Sequence, residues 1–157
     1  MSRFRLSVVT LLAVTTMAVA DDELDARFDK EVLVIVASAH ACHRFDVYLA
    51  VDDEQRRRGL MFVRDLPWRT GMLFVYVEPA IHSMWMKNTY IPLDMIFARV
   101  DGSVSSVVRH TEPQSLRSIA SIEPVTYVLE LNAGVTERLF IDGDSRLIPE
   151  QSWIDDE

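Results

Sequence analysis

Hydrophobic and polar positions change period several times along the chain, and each change marks an element. Val32 to Ala39 is a continuous apolar, β-branched run, which predicts a strand. His40 to His43 reads as a turn. Arg44 to Val51 then alternates, with Phe45, Val47, Leu49 and Val51 on one face, so the two segments form a hairpin candidate. Asp52 and Gln55 stand at capping-box spacing, which predicts a helix from Asp52 or Asp53 to about Phe62. After a turn at Pro67 to Gly71, Met72 to Val77 and Ile81 to Lys87 read as strands around Glu78-Pro79-Ala80. Leu93 to Val100 and Ser103 to Arg109 flank Asp101-Gly102, the strongest hairpin signal present. His110 to Pro124 is a long polar connection of the kind that often carries function or motion. Val125 to Leu131 is a strand, Val135 to Phe140 a short helix and Arg146 to Ile148 a last short strand. Seven or eight short strands with one or two short helices predict a β-rich α+β fold, a curled or barrel-like mixed sheet of about seven strands.

The ends differ from this body. Arg3 and Arg5 precede an apolar run, Leu6 to Val14, and Ala18-Val19-Ala20 is a small-x-small cleavage site followed by acidic residues. That is the layout of a secretory signal peptide over residues 1–20, with no later stretch apolar enough to span a bilayer. The expected organisation is therefore signal peptide 1–20, acidic N-terminal tail 21–31, a single domain over 32–149 and an acidic C-terminal tail 150–157. The protein is expected to be exported, to the periplasm or the cell exterior. The net charge of −8 is carried mostly by the two tails, which hold ten of the 24 acids, and the body has fourteen acids against twelve bases. Without a basic stripe interleaved with aromatics, no nucleic-acid partner is expected. The single cysteine, Cys42, excludes an internal disulfide framework.

Three blocks carry a resemblance. Arg56-Arg57-Arg58-Gly59-Leu60-Met61 leads through Asp65-Leu66-Pro67 to Gly71-Met72-Leu73-Phe74. Trp85-Met86-Lys87-Asn88-Thr89 is followed by Ile91-Pro92-Leu93-Asp94, and Tyr127 to Gly134 runs on to Gly143-Asp144. Together, over about Val32 to Ile148, they resemble the domain of unknown function 192 family. The resemblance implies a small bacterial or archaeal domain, often exported, of β-rich α+β fold, and it implies no particular activity. Met84 departs from the pattern, since the family usually has a large aromatic there, and Cys42 and both acidic tails lie outside it.

The polar residues that interrupt apolar strands are the candidate chemistry. Lys87 is the only lysine after Lys30 in a chain that otherwise uses arginine, and beside Asn88 it suggests an anion or carbonyl site. The structural alternative pairs Lys87 with Asp94. Asp94 shares a strand face with Ile96, Ala98 and Val100, and Glu130 shares one with Val128. A carboxylate on such a face must be paired, hydrogen-bonded or shifted in pKa. The plainer reading ties Asp94 to backbone amides and Glu130 to an arginine such as Arg56. His82, Met84 and Met86 alternate, which would set imidazole and thioethers on one face in a combination that suits Cu(I). Core packing is the competing account of those methionines.

Three functions follow from these residues. The first is non-enzymatic binding of a small molecule or an envelope partner, at a polar site formed by Lys87, Asn88, Asp94 and Glu130 and bordered by Arg56 and Trp85. In that reading the connection Thr111 to Pro124 serves as a lid, and no cofactor or resident metal is called for. The second is an acid–base or hydrolytic enzyme using Asp94 and Glu130 with Lys87 as electrophile. The third is a Cu(I)-binding protein using His82, Met84 and Met86.

Overall fold

The structure is a computed structural model that describes residues 23–148. The expected signal peptide and the acidic C-terminal tail therefore lie outside the described residues. Nine strands form: β1 (Lys30–Val36), β2 (Cys42–Ala50), β3 (Thr70–Ala80), β4 (Ser83–Met84), β5 (Leu93–Ala98), β6 (Val104–Val108), β7 (Ile119–Ala120), β8 (Val125–Asn132) and β9 (Arg146–Ile148). Two short helices, α1 (Asp53–Arg58) and α2 (Val135–Arg138), and a helical turn at 23–25 complete the described elements. Seven strands make one mixed sheet in the order β6-β5-β8-β3-β2-β1-β9, and β4 pairs with β7 in a separate ribbon. The β2–β3 pair is parallel, as its crossover through α1 requires, and every other pair is antiparallel. The sheet curls until its two edges touch. Ser103, just before β6, bridges Arg146 of β9, and Val104 and Leu147 donate to Ser145 and Gly102 across the seam. The curled mixed sheet and the two hairpins match the expectation from sequence.

Each face of this sheet has its own core. The inner face gathers Leu33, Phe45, Leu73, Ile96, Leu129 and their neighbours, with Val104 and Leu147 contributed by the two edges. The outer face carries Met72, Phe74, Met95, Phe97 and Val128, covered by Leu60, Val63, Leu66 and Met86. Because β3, β5 and β8 are covered on both sides, their sequences are nearly continuously apolar, and any polar residue within them is conspicuous.

Close approach of the central strands explains Gly71. It lies opposite Leu131, and a Cβ there would stand 2.6 Å from the Glu130 carbonyl oxygen and 2.6 Å from Leu131 Cδ2. Gly71→Ala is expected to lose about 1–3 kcal/mol of stability by overpacking, read as a lower urea midpoint at unchanged m-value.

Two local expectations are corrected and a third is resolved. α1 has the expected capping box, Asp52 with Gln55, but it stops at Arg58 rather than Phe62. Gly59 turns the chain there with φ of 48°, and the Phe74 ring would lie 3.1 Å from a Cβ at that position, so the chain leaves the helix and folds Leu60 and Val63 onto the outer core. The segment Ile81 to Lys87 is not a full strand. The β3–β8 pairing is interrupted between Val75 and Ala80, β4 pairs only with the two-residue β7, and Met86 N donates to the Ser115 carbonyl. Finally, the described part of the acidic N-terminal segment, readable from sequence as a solvated tail or a frayed first helix, takes the second form, a helical turn at 23–25 that packs on the domain. Leu24 and Phe28 are buried in the outer core, and Tyr48 Oη donates to Asp25 at 2.8 Å.

Candidate functional site

Glu130 occupies the centre of β8, opposite Met72 of β3 and Met95 of β5, so its side chain belongs to the outer face. That face is roofed by α1 and the segments following it, but the roof is incomplete. Where β3 separates from β8 a cavity of about 360 Å³ opens, walled by α1 on one side and by β4 and Trp85 on the other, with Phe74, Tyr76 and Glu130 reaching into it from the sheet. This is at the small end of ordinary ligand pockets.

Glu130 is buried, 4% exposed as a residue, and none of the described residues makes a hydrogen bond or ion pair with its carboxyl. Burial alone pushes its pKa up to about 8, so it holds its proton at neutral pH and presents an O–H to the cavity. Beside it stands Tyr76, whose phenol is also pushed up, by burial first, against an opposing influence of Arg56. The Tyr76 hydroxyl makes only a long contact to Met84 Sδ, at 3.9 Å. Its ring stacks on His82 at 3.4 Å between centroids, and Arg56 lies over it at 5.2 Å. Burial and then Arg56 hold the His82 imidazole below its usual range.

The arginines of α1 line the same cavity in different states. Arg56 is committed: its guanidinium donates to the carbonyls of Val51 and Val75 and pairs with Asp53. The expected Arg56–Glu130 ion pair is therefore not formed. Arg58 pairs with Glu23 and lies over Phe62, while its Nε is buried without a partner among the described residues. Arg57 is exposed at the rim and joins no ion pair among the described residues.

Of the six residues singled out from sequence, three thus meet at one cavity: Arg56, Trp85 and Glu130. Lys87 and Asn88 lie on the adjoining turn. Lys87 is exposed, with its ammonium 5.0 Å from the Trp85 ring, and it does not pair with Asp94. Asn88 adopts a left-handed conformation, φ 57°, which suits asparagine, and its carbonyl accepts from Phe62 N at 2.8 Å. Asp94 is elsewhere. It pairs in register with Leu131, one residue out of step with Glu130, so the two carboxyls point to opposite faces of the sheet. Its two oxygens accept from His110 N at 2.9 Å, Gly134 N at 3.0 Å, Thr136 N at 3.0 Å and the Thr136 hydroxyl at 2.7 Å. The tie to backbone amides foreseen for Asp94 is present, and an Asp94–Glu130 acid–base pair is not.

The other candidates separate as well. Met86 is fully buried and its sulfur accepts from the Thr111 hydroxyl, whereas Met84 and His82 are half-buried beside Tyr76. Among the described residues no group of three or more His, Cys, Asp or Glu side chains is placed to hold a metal ion. The connection Thr111 to Pro124 does not cover the cavity. It braces β4 from behind, with Ser121 N donating to the His82 carbonyl and Gln114 N to that of Thr89. Met84 and Tyr76 are the cavity residues that sequence reasoning passed over. Met84 was weighed as a metal ligand or a core residue and not as a pocket wall, and Tyr76 gave no signal of its own, because its position depends on the register break in β3.

The comparisons with known proteins agree with the fold. The DUF192 family, described as "Uncharacterized ACR", matches residues 34–148. A crystal structure from Sinorhizobium meliloti 1021, which carries a provisional transcription-regulator label, is 43% identical with a TM-score of 0.76, over 77% of this chain and 94% of that one. A protein of unknown function from Novosphingobium aromaticivorans DSM 12444 is 29% identical with a TM-score of 0.74, over 76% of this chain and 85% of the other. No curated protein matches.

Proposed function

The chain belongs to the DUF192 family, and on that premise we propose that it is an exported, non-enzymatic domain that binds a small molecule in the cavity between α1, β4 and Glu130. One observation carries the reading: a buried carboxyl without a partner among the described residues faces an open cavity. Buried polar groups in folded proteins are nearly always hydrogen-bonded, and leaving one bare costs stability that a purely structural residue would not demand. A ligand that supplies the missing partner accounts for the glutamate. The half-exposed Trp85 ring at the mouth supports the same reading, since it offers a flat apolar surface beside the polar floor. Export is supported by the signal-peptide pattern of residues 1–20. A regulator that reads nucleic acid is disfavoured by the lack of a basic stripe interleaved with aromatics in the sequence.

Native mass spectrometry of the full-length gene product, recovered from the exported fraction of a bacterial host, tests the proposal. A bound small-molecule mass is expected in the wild type and is expected to vanish in Ser83→Trp, which fills the mouth from an exposed position. The same spectra are expected to show a mature chain beginning at Asp21. A ligand retained by Ser83→Trp, with wild-type thermal unfolding, would place the binding elsewhere.

An acid–base enzyme is the second reading, and the retained proton of Glu130 favours it. Glu130 would then act beside Tyr76 rather than with Asp94, which faces the other side of the sheet.

A further inference from the structure

The chemistry of the ligand can be read from what converges in the cavity. We propose that the cavity takes a small organic acid, its carboxylate received by the Glu130 carboxyl and the Tyr76 hydroxyl on the floor and its apolar body lying against Met84 and Trp85. The assignment rests on the binding function proposed above.

Three observations select an anion. The first is the pair of donors. Tyr76 and Glu130 both retain their protons at neutral pH, and neither spends them on a strong bond, since the Tyr76 hydroxyl has only a sulfur at 3.9 Å. Two O–H groups lining one small space are matched by an oxygen bearing negative charge, for which charge-assisted bonds are the strong ones. The second is the sign of the surrounding charge. Arg56, Arg57 and Arg58 line the wall; Arg56 is paired with Asp53 and Arg58 with Glu23, which leaves Arg57 to make the wall net positive. A cationic ligand would meet a wall of net positive charge. The third is the division of the walls. Leu60, Phe74, Met84 and Trp85 give an apolar flank that suits a hydrocarbon or aromatic body and gives nothing to a fully polar anion such as inorganic phosphate.

The groups facing Glu130 also set how binding depends on pH. Asp53, Arg56, Arg57 and Arg58 come from α1, Tyr76 from β3 and His82 from behind the Tyr76 ring, while the neighbouring strand β5 presents Met95. Of these, Glu130 is the group that ionises near pH 8. Its loss of a proton removes a donor and adds a negative charge beside a bound carboxylate, so affinity must fall as pH rises through that value.

Benzoate, benzamide and benzylamine, titrated into the full-length protein by calorimetry after removal of any co-purified ligand, decide the matter. Benzoate is expected to bind, and its affinity to fall by about tenfold or more between about pH 6 and about pH 9.5. Glu130→Gln keeps a donor that does not titrate, and is expected to keep benzoate binding while losing most of that pH dependence. Tyr76→Phe is expected to weaken benzoate several-fold at every pH. Preference for benzylamine, equal binding of benzamide, or an unchanged pH profile in Glu130→Gln would overturn the assignment. Absence of binding by all three probes would overturn it too. The co-purified ligand and its loss in Ser83→Trp would then still support the cavity as a binding site, so the two proposals fail separately.

Discussion

Asp94→Ala is expected to destabilise the protein by about 3–5 kcal/mol, the scale of removing a buried carboxylate that satisfies several donors at once. Asp94 is fully buried, and its two oxygens collect four donors from two separate segments of the chain. His110 N belongs to the exit from β6, while Gly134 N, Thr136 N and the Thr136 hydroxyl belong to the start of α2. α2 is only four residues long and has no side-chain cap of its own, with Gly134 at φ 84° in the capping position. The carboxylate of Asp94 does from across the sheet what a capping side chain does locally, and it fastens the β6 exit with the same group. Alanine leaves all four donors bare at once. Asp94→Asn presents an amide nitrogen to some of these donors and is expected to fall between alanine and wild type, and Thr136→Val, which removes one hydroxyl, to lose about 1 kcal/mol. Urea unfolding of the three variants at neutral pH provides the comparison. An Asp94→Ala variant within about 1 kcal/mol of wild type would mean that the α2 start holds without the carboxylate. Because Asp94 faces away from the cavity, any variant that folds is expected to bind ligand as the wild type does.

The contrast between Asp94 and Glu130 shows how far the sequence could be read. Both residues announced themselves, since a carboxylate inside an apolar strand needs an explanation wherever it occurs. Period-two alternation even placed each on its correct face, Asp94 with Ile96 and Glu130 with Val128. Which carboxylate was satisfied and which was not lay out of reach, because the answer depends on segments distant in the chain. The donors to Asp94 come from positions up to 42 residues away. The cavity beside Glu130 exists because β3 breaks register after Val75 and because Gly59 ends α1 early. Neither event has a local signal strong enough to be found by periodicity. The same holds for Lys87. Its rarity in the chain was real, but its orientation over Trp85 follows from the turn at Asn88, whose positive φ is set by contacts with Phe62. Strand runs and hairpins were legible because they are determined within a few residues, and the seam between β6 and β9 was not, because it joins segments some forty residues apart.

Glu130→Gln is expected to abolish the pH dependence of stability that Glu130 imposes. The unfolded chain releases the Glu130 proton near the ordinary value of 4.5, and the folded protein keeps it to about 8. Below 4.5 both states are protonated, and the residue favours neither. Between 4.5 and 8 the folded state binds more protons than the unfolded one, so stability declines with rising pH, by up to about 1.4 kcal/mol per pH unit. The decline amounts to about 3 kcal/mol by neutral pH and about 5 kcal/mol above pH 8, where both states are ionised and the curve flattens. Glutamine has no proton to lose. The difference in unfolding free energy between Glu130→Gln and wild type should therefore grow in favour of the variant by about 3 kcal/mol between pH 4 and pH 7. Taking the difference cancels every other titrating group that both proteins share, including the low-pKa acids at Asp25, Asp53, Asp101 and Glu123. A difference that stays constant across that window would show that the carboxyl is solvated or paired in solution. The slope also connects stability to ligand. A carboxylate bound to protonated Glu130 raises its pKa further, and saturating benzoate should carry the decline of the wild type to higher pH while leaving Glu130→Gln flat. A protein that forgoes this much stability at neutral pH to keep one acid unpaired beside a cavity is one whose glutamate answers to something outside the fold.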